Sequence, residues 1–267
     1  MTGRPGGPPA GEPGTPKGQC GCAPGRDPRP SVIGRRLQGV GRLIAVTGGK
    51  GGIGKSVVAS CLALELARAG RRVGLLDLDL TGPCAHLILG TGPAAPREES
   101  GLVPAVVHGI GFMSVTCFAG SHPAPLRGAD VSSAFVELLS VVQWGALDFL
   151  VVDMPPGLGD ALLDAVRLLP RAEFLVVATA SRVVLETVRR TLALLGEVGA
   201  RLLGVVENMR VRDTLEVPRL AAQFGVPFLG ALPLDGGLET ALGDPAALGR
   251  TRLARALGQT VGRRLLS

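Results

Sequence analysis

The chain has few aromatic residues, and this scarcity limits the functions open to it. Its 267 residues include no tyrosine and one tryptophan, and aromatic residues make up 3% of the sequence. Proteins that bind single-stranded nucleic acid stack bases on aromatic side chains, so a base-stacking protein is not expected. The formal net charge of +6 comes mostly from scattered arginines, which permits anionic partners without indicating a specific nucleic acid.

Long hydrophobic runs and a secretory leader are also missing. No apolar stretch approaches the roughly 18 to 20 residues that a membrane helix requires. The N-terminus has no apolar segment of the kind that signal peptides contain. The five cysteines are an odd number, which argues against a disulfide framework. These absences together predict a cytoplasmic protein.

Glycine and proline are concentrated at the N-terminus. About half of residues 1–30 are one or the other, and large apolar residues are almost absent there. Such a segment cannot bury enough apolar surface to offset the entropy of ordering. We therefore predict a disordered tail over residues 1–38, carrying Cys20 and Cys22, and one folded domain over residues 39–267.

Short β-branched runs alternate with helical patterns beyond residue 40. Strands are predicted at Leu43–Thr47, Val73–Leu76, Phe149–Val152, Phe174–Ala178 and Leu202–Val206. Helices are predicted at Ser56–Arg68, Ala161–Leu169, Val183–Val198 and Pro218–Phe224. This alternation predicts an α/β fold with a mostly parallel sheet and helices on both faces. The stretch Gly90–Pro104 is predicted to be a loop.

A phosphate-binding pattern lies between the first predicted strand and helix. It consists of Gly49, Lys50, Gly51, Gly52, Ile53, Gly54, Lys55 and Ser56, followed by Val57. Glycines let backbone N–H groups wrap phosphates, and the N-terminus of the following helix favours an anion. Lys55 is expected to reach the β- and γ-phosphates, and the Ser56 hydroxyl to bind Mg²⁺. The alternative is a glycine-rich turn in which Lys-Ser occurs by chance.

Acidic residues end two of the predicted strands, where ligands of parallel sheets bind. Asp153 is expected to hold Mg²⁺ through a water molecule, or else to cap the following helix. Asp79 is expected to position the attacking water, with Asp77 as a supporting carboxylate. The alternative for this second pair is two solvated loop acids.

Lys50 is a second lysine within the loop, and it is not needed to bind phosphate in its own chain. A cation placed on the γ-phosphate by a neighbouring subunit acts as an arginine finger does. This interpretation predicts a dimer in which two chains face each other across two nucleotides.

The run from Lys50 to Ser56 resembles the deviant Walker A loop of the family that contains MinD, ParA, the nitrogenase iron protein and the Mrp (ApbC-type) iron–sulfur carriers. Four further segments between Gly41 and Asp235 resemble the Mrp branch in particular: Leu75–Pro83, Pro125–Gly128, Trp144–Asp160 and Leu203–Met209. The resemblance implies a deviant Walker A P-loop NTPase fold and a slow, ATP-hydrolysing homodimer that serves client iron–sulfur apoproteins. It also implies that Lys50 acts in trans, that Asp79 and Asp153 lie in the switch segments, and that Asn208 reads adenine. From the residues alone, Asn208 is equally a turn or cap residue.

The cysteines depart from the pattern of the Mrp branch. Its members usually carry Cys-x-x-Cys soon after Glu-Asn-Met, where paired protomers hold a bridging cluster, whereas residues 210–215 here contain no cysteine. Two tails in a dimer would supply four thiolates from Cys20 and Cys22, or these are incidental thiols. Cys84 and Cys117 are weaker candidates, and Cys61 is expected in the core.

The last helix has an apolar stripe flanked by arginines. Leu253, Leu257, Val261 and Leu265 recur every four residues, a pattern that indicates either docking on the chain's own domain or contact with a membrane surface. Three functions stay open: an iron–sulfur cluster carrier or assembly ATPase, a MinD/ParA-like positioning ATPase, and a nucleotide-switched adaptor for one client metalloprotein.

Overall fold

The computed structural model describes residues 1–3, 29–80, 82–91, 95–119 and 129–267. The strands are β1 (Val40–Thr47), β2 (Val73–Asp77), β3 (Arg97–Glu98), β4 (Leu102–Val103), β5 (Ala105–Val107), β6 (Ile110–Ser114), β7 (Leu147–Asp153), β8 (Ala172–Ala178), β9 (Arg201–Arg210) and β10 (Phe228–Pro233). The helices are α1 (Arg29–Arg36), α2 (Lys55–Arg68), α3 (Ala85–Leu89), α4 (Thr116–Ala119), α5 (Ala129–Val141), α6 (Asp160–Leu168), α7 (Arg182–Glu197), α8 (Glu216–Gln223), α9 (Leu238–Ala241), α10 (Pro245–Arg250), α11 (Arg252–Leu257) and α12 (Arg263–Leu266).

The main sheet has eight strands in the order β10-β9-β8-β1-β7-β2-β6-β5. All neighbouring pairs are parallel except β5 and β6, which form an antiparallel edge. The five predicted strands are all present, and each is one to five residues longer than its apolar run. They are β-branched and uninterrupted because helices cover both faces of a parallel sheet. The predicted α/β fold is confirmed.

The order of the strands places a binding crevice at the carboxyl end of β1. From β1 the chain crosses β7 to reach β2, whereas later crossovers run in the opposite direction from β6 towards β10. Right-handed crossovers therefore put α2 on one face and α5 to α8 on the other. Open α/β sheets bind ligands where the direction reverses, outside the carboxyl ends of the strands.

The predicted loop at Gly90–Pro104 is partly wrong. Strands β3 and β4 form a short antiparallel ladder that pairs Arg97 with Val103 and Glu98 with Leu102. Residues 92–94 lie outside the described part of the chain. Glycine and proline correctly predicted turns in this segment. Its two strands were not predicted, because two residues are too few to show a period-2 pattern.

The predicted boundary at residue 39 is also wrong, because the folded chain begins earlier. Helix α1 packs on α5 and α6, with Ile33 fully buried and Leu37 8% exposed. Leu37 directly follows the helix, and its N–H donates to the Ile33 carbonyl at 3.0 Å, so both apolar side chains lie on the same side. Cys20 and Cys22 lie outside the described residues.

The C-terminal stripe docks on the chain's own domain. Leu253, Leu257, Val261 and Leu265 are at most 4% exposed, and the helix packs on α2 and β10. A four-residue repeat drifts by about 40° per step around an α-helix. A π-helical turn at Gly258–Gly262 takes up this drift, since π turns hold more residues than α turns. Within the described ranges, every helix is too short or too polar to span a lipid bilayer.

The role of α1 predicts a loss of stability in a single variant. Ile33→Ala removes a fully buried side chain, so the free energy of unfolding is expected to fall by about 2–4 kcal/mol in urea titrations. Gly34→Ala is the matched control, because a methyl group there meets nothing within 4 Å and favours the helix. Equal stability of the Ile33→Ala variant and the parent protein would show that α1 does not belong to the core.

Candidate functional site

The phosphate-binding pattern forms the turn between β1 and α2. Gly52 and Gly54 have φ angles of 77° and 83°, in the left-handed region that favours glycine. A Cβ on Gly54 would overlap the Asn208 side chain, and one on Gly49 would lie 2.6 Å from Thr187. The loop is therefore clamped between α7 and the end of β9. Gly49 and Gly54 are required by space, and Gly52 and Gly54 by conformation.

The two lysines of the loop have different surroundings. Lys55 is 6% exposed, and its Nζ donates to the Lys50 carbonyl at 3.5 Å, so it lies beneath the loop. The Lys50 side chain is exposed. Ser56 and Val57 lie half-buried in the first turn of α2. One cation thus lies within the loop, while the other is exposed on its surface.

Asp77 and Asp153 lie side by side at the ends of two neighbouring strands. The parallel register of β2 and β7 pairs these residues directly, and both are fully buried. The Asp77 carboxylate accepts hydrogen bonds from the backbone of Asp79 at 3.1 Å and of Ala85 at 3.2 Å. Neither carboxylate oxygen of Asp153 has a hydrogen-bond partner of normal length among the described residues.

Both carboxyl groups have a pKa above the ordinary value of an aspartate. Burial raises the pKa of Asp153 to about 8, and the neighbouring Asp77 carboxylate adds to the rise. Burial likewise raises the pKa of Asp77 to about 6, against the backbone hydrogen bonds that lower it. A buried carboxylate without a partner is costly unless a cation compensates it. Asp153 and the Ser56 hydroxyl are hard oxygen ligands and so fit Mg²⁺.

The structure decides between several of the alternatives left open by the sequence. Asp77 is buried, so it is not a solvated loop acid. Asp153 does not cap the following helix, because α6 begins at Asp160 with Gly159 at its N-cap. Asp79 is half-buried and accepts a hydrogen bond from the Gly82 backbone at 3.1 Å. Its expected role towards the attacking water stays a prediction.

Asn208 is neither a turn nor a cap residue. It lies inside β9, 2% exposed, and its Nδ2 donates to the Ile53 carbonyl of the phosphate loop at 2.9 Å. Its Oδ1 is buried without a partner among the described residues. The residue therefore links β9 to the phosphate loop, while its contact with adenine remains a prediction.

Two contacts of the site were not predicted. Thr187 packs against Gly49 from the first half of α7, and only the tertiary fold brings it there. Glu207 precedes Asn208, is 1% exposed, and pairs with Arg210 at 3.3 Å. A glutamate inside an apolar strand run was the available signal, because acids are rarely fully buried without a partner.

The described cysteines do not form a cluster site. Cys61 is buried on α2, where burial raises the pKa of its thiol to about 12. Burial also raises the pKa of Cys84 and Cys117. The described residues contain no group of three or more potential ligands that could hold a metal ion. The Pro125–Gly128 segment of the resemblance lies outside these residues.

Comparison with known proteins identifies the family. A sequence model of the ParA family, described as NUBPL iron-transfer P-loop NTPase, matches residues 39–248. The chain belongs to this family. The resemblance inferred from the phosphate loop and the Mrp-like segments is confirmed.

Curated relatives of this P-loop NTPase carry matching names. The iron-sulfur cluster carrier protein of Pseudomonas fragi is 36% identical over 233 residues, covering 78% of this chain and 81% of the relative. The cytosolic Fe-S cluster assembly factor NUBP2 of Bos taurus is 38% identical over 229 residues, covering 78% and 84%. The carrier of Synechocystis is longer, and the match covers 62% of it.

Solved structures share the fold of this P-loop NTPase. The nucleotide-binding protein of Archaeoglobus fulgidus, in complex with ADP, superposes with a TM-score of 0.68 at 29% identity, covering 84% of this chain and 92% of that one. MinD of Pyrococcus horikoshii, complexed with Mg-ADP, gives a TM-score of 0.60 at 22% identity, covering 81% and 92%. The second likeness concerns the fold alone.

The unpartnered carboxylate predicts a trade-off between stability and function. Since the folded pKa of Asp153 is raised, the folded state binds more protons, and nucleotide-free protein is expected to lose stability as pH rises from about 4 to about 8. Asp153→Asn removes this charge and should stabilise that form at pH 8 by about 1–2 kcal/mol, with a flatter pH profile. The same variant should lose Mg²⁺-dependent nucleotide affinity.

Thermal unfolding from pH 5 to pH 8 checks the first half, and titration with a fluorescent ATP analogue with and without Mg²⁺ checks the second. Asp148→Asn is the control, because Asp148 is paired with Arg72 at 2.8 Å, far along β7 from the loop. A pH profile of Asp153→Asn that parallels the parent would contradict the assignment.

Proposed function

We propose that this chain is an Mg·ATP-binding, dimeric ATPase that acts in iron–sulfur cluster carriage or assembly, in the cytoplasm, for client apoproteins. The observation that carries the proposal is the buried, unpartnered Asp153 beside a complete phosphate loop, in a chain of the iron-transfer family. The names of the curated relatives support the cargo, and one of them is described as cytosolic.

Each residue of the site has a separate role in hydrolysis. The loop N–H groups and Lys55 bind the phosphates, Ser56 and Asp153 hold Mg²⁺, and Asp79 orients the attacking water. Bound Mg²⁺ supplies charge that offsets the negative charge developing on the phosphate oxygens. Asp77 stays anchored by backbone N–H groups and fixes the segment that carries Asp79. Asn208 connects the loop to β9.

The proposed dimer is inferred from Lys50. Its side chain is exposed, and Lys55 already occupies the phosphate side of the same loop. A second chain facing this edge would place its own Lys50 on the γ-phosphate, where a cation stabilises the transition state.

One alternative is also supported by a specific observation. The described residues lack a metal-ligand cluster, and residues 118–267 contain no cysteine at all. This favours, as a second candidate, a nucleotide-switched adaptor that binds one client metalloprotein and carries no cluster. A MinD/ParA-type membrane role is disfavoured for the C-terminal helix, since its apolar stripe is buried against α2 and β10.

Lys50→Ala should leave Mg·ATP affinity within about twofold and lower turnover by about 10³-fold, because the trans cation acts on the transition state. Mixing it one-to-one with Asp79→Asn is the sharper experiment. Half of the dimers then contain one chain of each variant. If Lys50 acts in trans, one of the two sites in such a dimer is intact, because the Lys50→Ala chain supplies Asp79 and the Asp79→Asn chain supplies Lys50. Turnover should recover to about a quarter of the parent value. No recovery in the mixture would place Lys50 in its own chain's site.

The cargo is tested by anaerobic reconstitution with iron and sulfide, followed by metal analysis and absorption spectra. The parent protein should bind a cluster, and Cys20→Ser/Cys22→Ser should lose it, because four thiolates from two chains are the expected ligands. Cys84→Ser/Cys117→Ser is the matched control and should keep it. Absence of iron from all three proteins would leave the adaptor function.

A further inference from the structure

A cavity of about 420 Å³ opens at the amino edge of the main sheet, whereas the phosphate loop lies at the carboxyl edge. Its wall is formed where α1 leads into β1 and where Trp144 and Gly145 lead into β7. We call it the amino-edge cavity. Its volume is in the range that accommodates a small molecule. The residues assigned above to nucleotide, Mg²⁺ or a cluster do not line it.

Two glycines form one wall of the amino-edge cavity. A Cβ on Gly39 would lie 2.3 Å from the Gly145 carbonyl oxygen, so a side chain does not fit between the two segments. Gly145 has a φ angle of 66°, in the left-handed region that favours glycine. The Leu147 backbone N–H donates to the Gly39 carbonyl at 3.0 Å and holds the segments together. This wall is therefore bare backbone in a fixed position.

The charge of the amino-edge cavity is positive. Within the described part of the chain, each charged side chain that lines it is an arginine. Arg35 is exposed, and its guanidinium has no ion pair among the described residues. Arg36 donates to the backbone carbonyls of Ser140 at 2.9 Å and of Ser100 at 3.3 Å, which are uncharged acceptors. Guanidinium groups only donate hydrogen bonds, so this lining favours a ligand with acceptor oxygens.

Trp144 adds a buried donor to the same lining. Its side chain is 6% exposed, and its Nε1–H has no hydrogen-bond partner among the described residues. A Cβ on Gly74 of β2 would lie 2.8 Å from Cε3 and Cζ3 of the indole, so this edge of the ring packs on the sheet. Nε1 is on the opposite edge of the ring and therefore faces away from β2. Because buried polar groups almost always have a partner, an unpartnered donor beside a cavity indicates a ligand that accepts from it.

We propose that the amino-edge cavity binds a small organic anion, whose carboxylate or phosphate oxygens accept hydrogen bonds from the Arg35 guanidinium and the Trp144 Nε1–H. The planar fork of a guanidinium matches either group, and the indole N–H supplies one further donor. An inorganic ion would fill only a small part of the 420 Å³, so the anion is carried on an organic molecule. The site is independent of the proposed ATPase activity, because it lies at the other edge of the sheet.

The test uses the indole N–H itself as the reporter. The sequence contains one tryptophan, so the ¹⁵N-labelled full chain gives a single indole signal in a ¹H–¹⁵N spectrum. The protein is titrated with citrate, with glycerol 3-phosphate and with chloride at equal ionic strength, in excess Mg·ADP so that the phosphate loop is occupied. Citrate or glycerol 3-phosphate should move the indole proton downfield in a saturable way, because the N–H gains an acceptor. Chloride should not.

Variants separate the site from a general effect of charge. Arg35→Gln should weaken binding of the anion by about tenfold, since hydrogen bonds to charged groups contribute that much free energy. Arg212→Gln is the matched control, because this exposed arginine follows β9 at the carboxyl edge, and its affinity should equal that of the parent.

Calorimetry of Trp144→Phe, which lacks the reporter, should show a loss of about fivefold for the missing donor. Saturation by citrate alone would assign a carboxylate ligand, and saturation by glycerol 3-phosphate alone a phosphate ligand. An indole signal that follows only ionic strength would overturn the proposed site. Equal affinities of Arg35→Gln and the parent protein would overturn it as well.

Discussion

The parallel register of β2 and β7 sets the constraint on which the site depends. It places the Asp77 and Asp153 carboxyl groups next to each other in a fully buried position, where two charges repel and neither is hydrated. The backbone N–H groups of Asp79 and Ala85 compensate Asp77, whereas the Ser56 hydroxyl and the Lys55 charge offset only part of the burial of Asp153. Asp153 is left to be neutralised by a proton or by a cation. A bound Mg²⁺ would supply the compensating charge.

The phosphate loop is closely packed against two elements that are distant from it in the sequence. Gly49 packs on Thr187 of α7, and Gly54 packs on Asn208 of β9, with no room for a methyl group at either place. Close-packed contacts transmit displacement instead of absorbing it. Any shift of the loop on nucleotide exchange therefore reaches α7 and β9 together.

Local sequence patterns predicted the elements that local physics determines. The buried strands, α2 and the phosphate loop follow from β-branched runs, helical periodicity and glycine spacing. Helix α1 was missed because its glycine- and proline-rich neighbours dominate the composition, while its burial depends on α5 and α6. Thr187 lies far from the loop in sequence, so no spacing rule could have identified it. The Asp77–Asp153 pairing depends on strand order, which the sequence does not encode locally.

The three described thiols are disfavoured as cluster ligands by their burial. A thiolate is the form that ligates iron, and burial disfavours it at Cys61, Cys84 and Cys117. Cys20 and Cys22 precede α1 in the sequence, and α1 packs on α5 and α6. A cluster on these cysteines needs four thiolates and hence two chains.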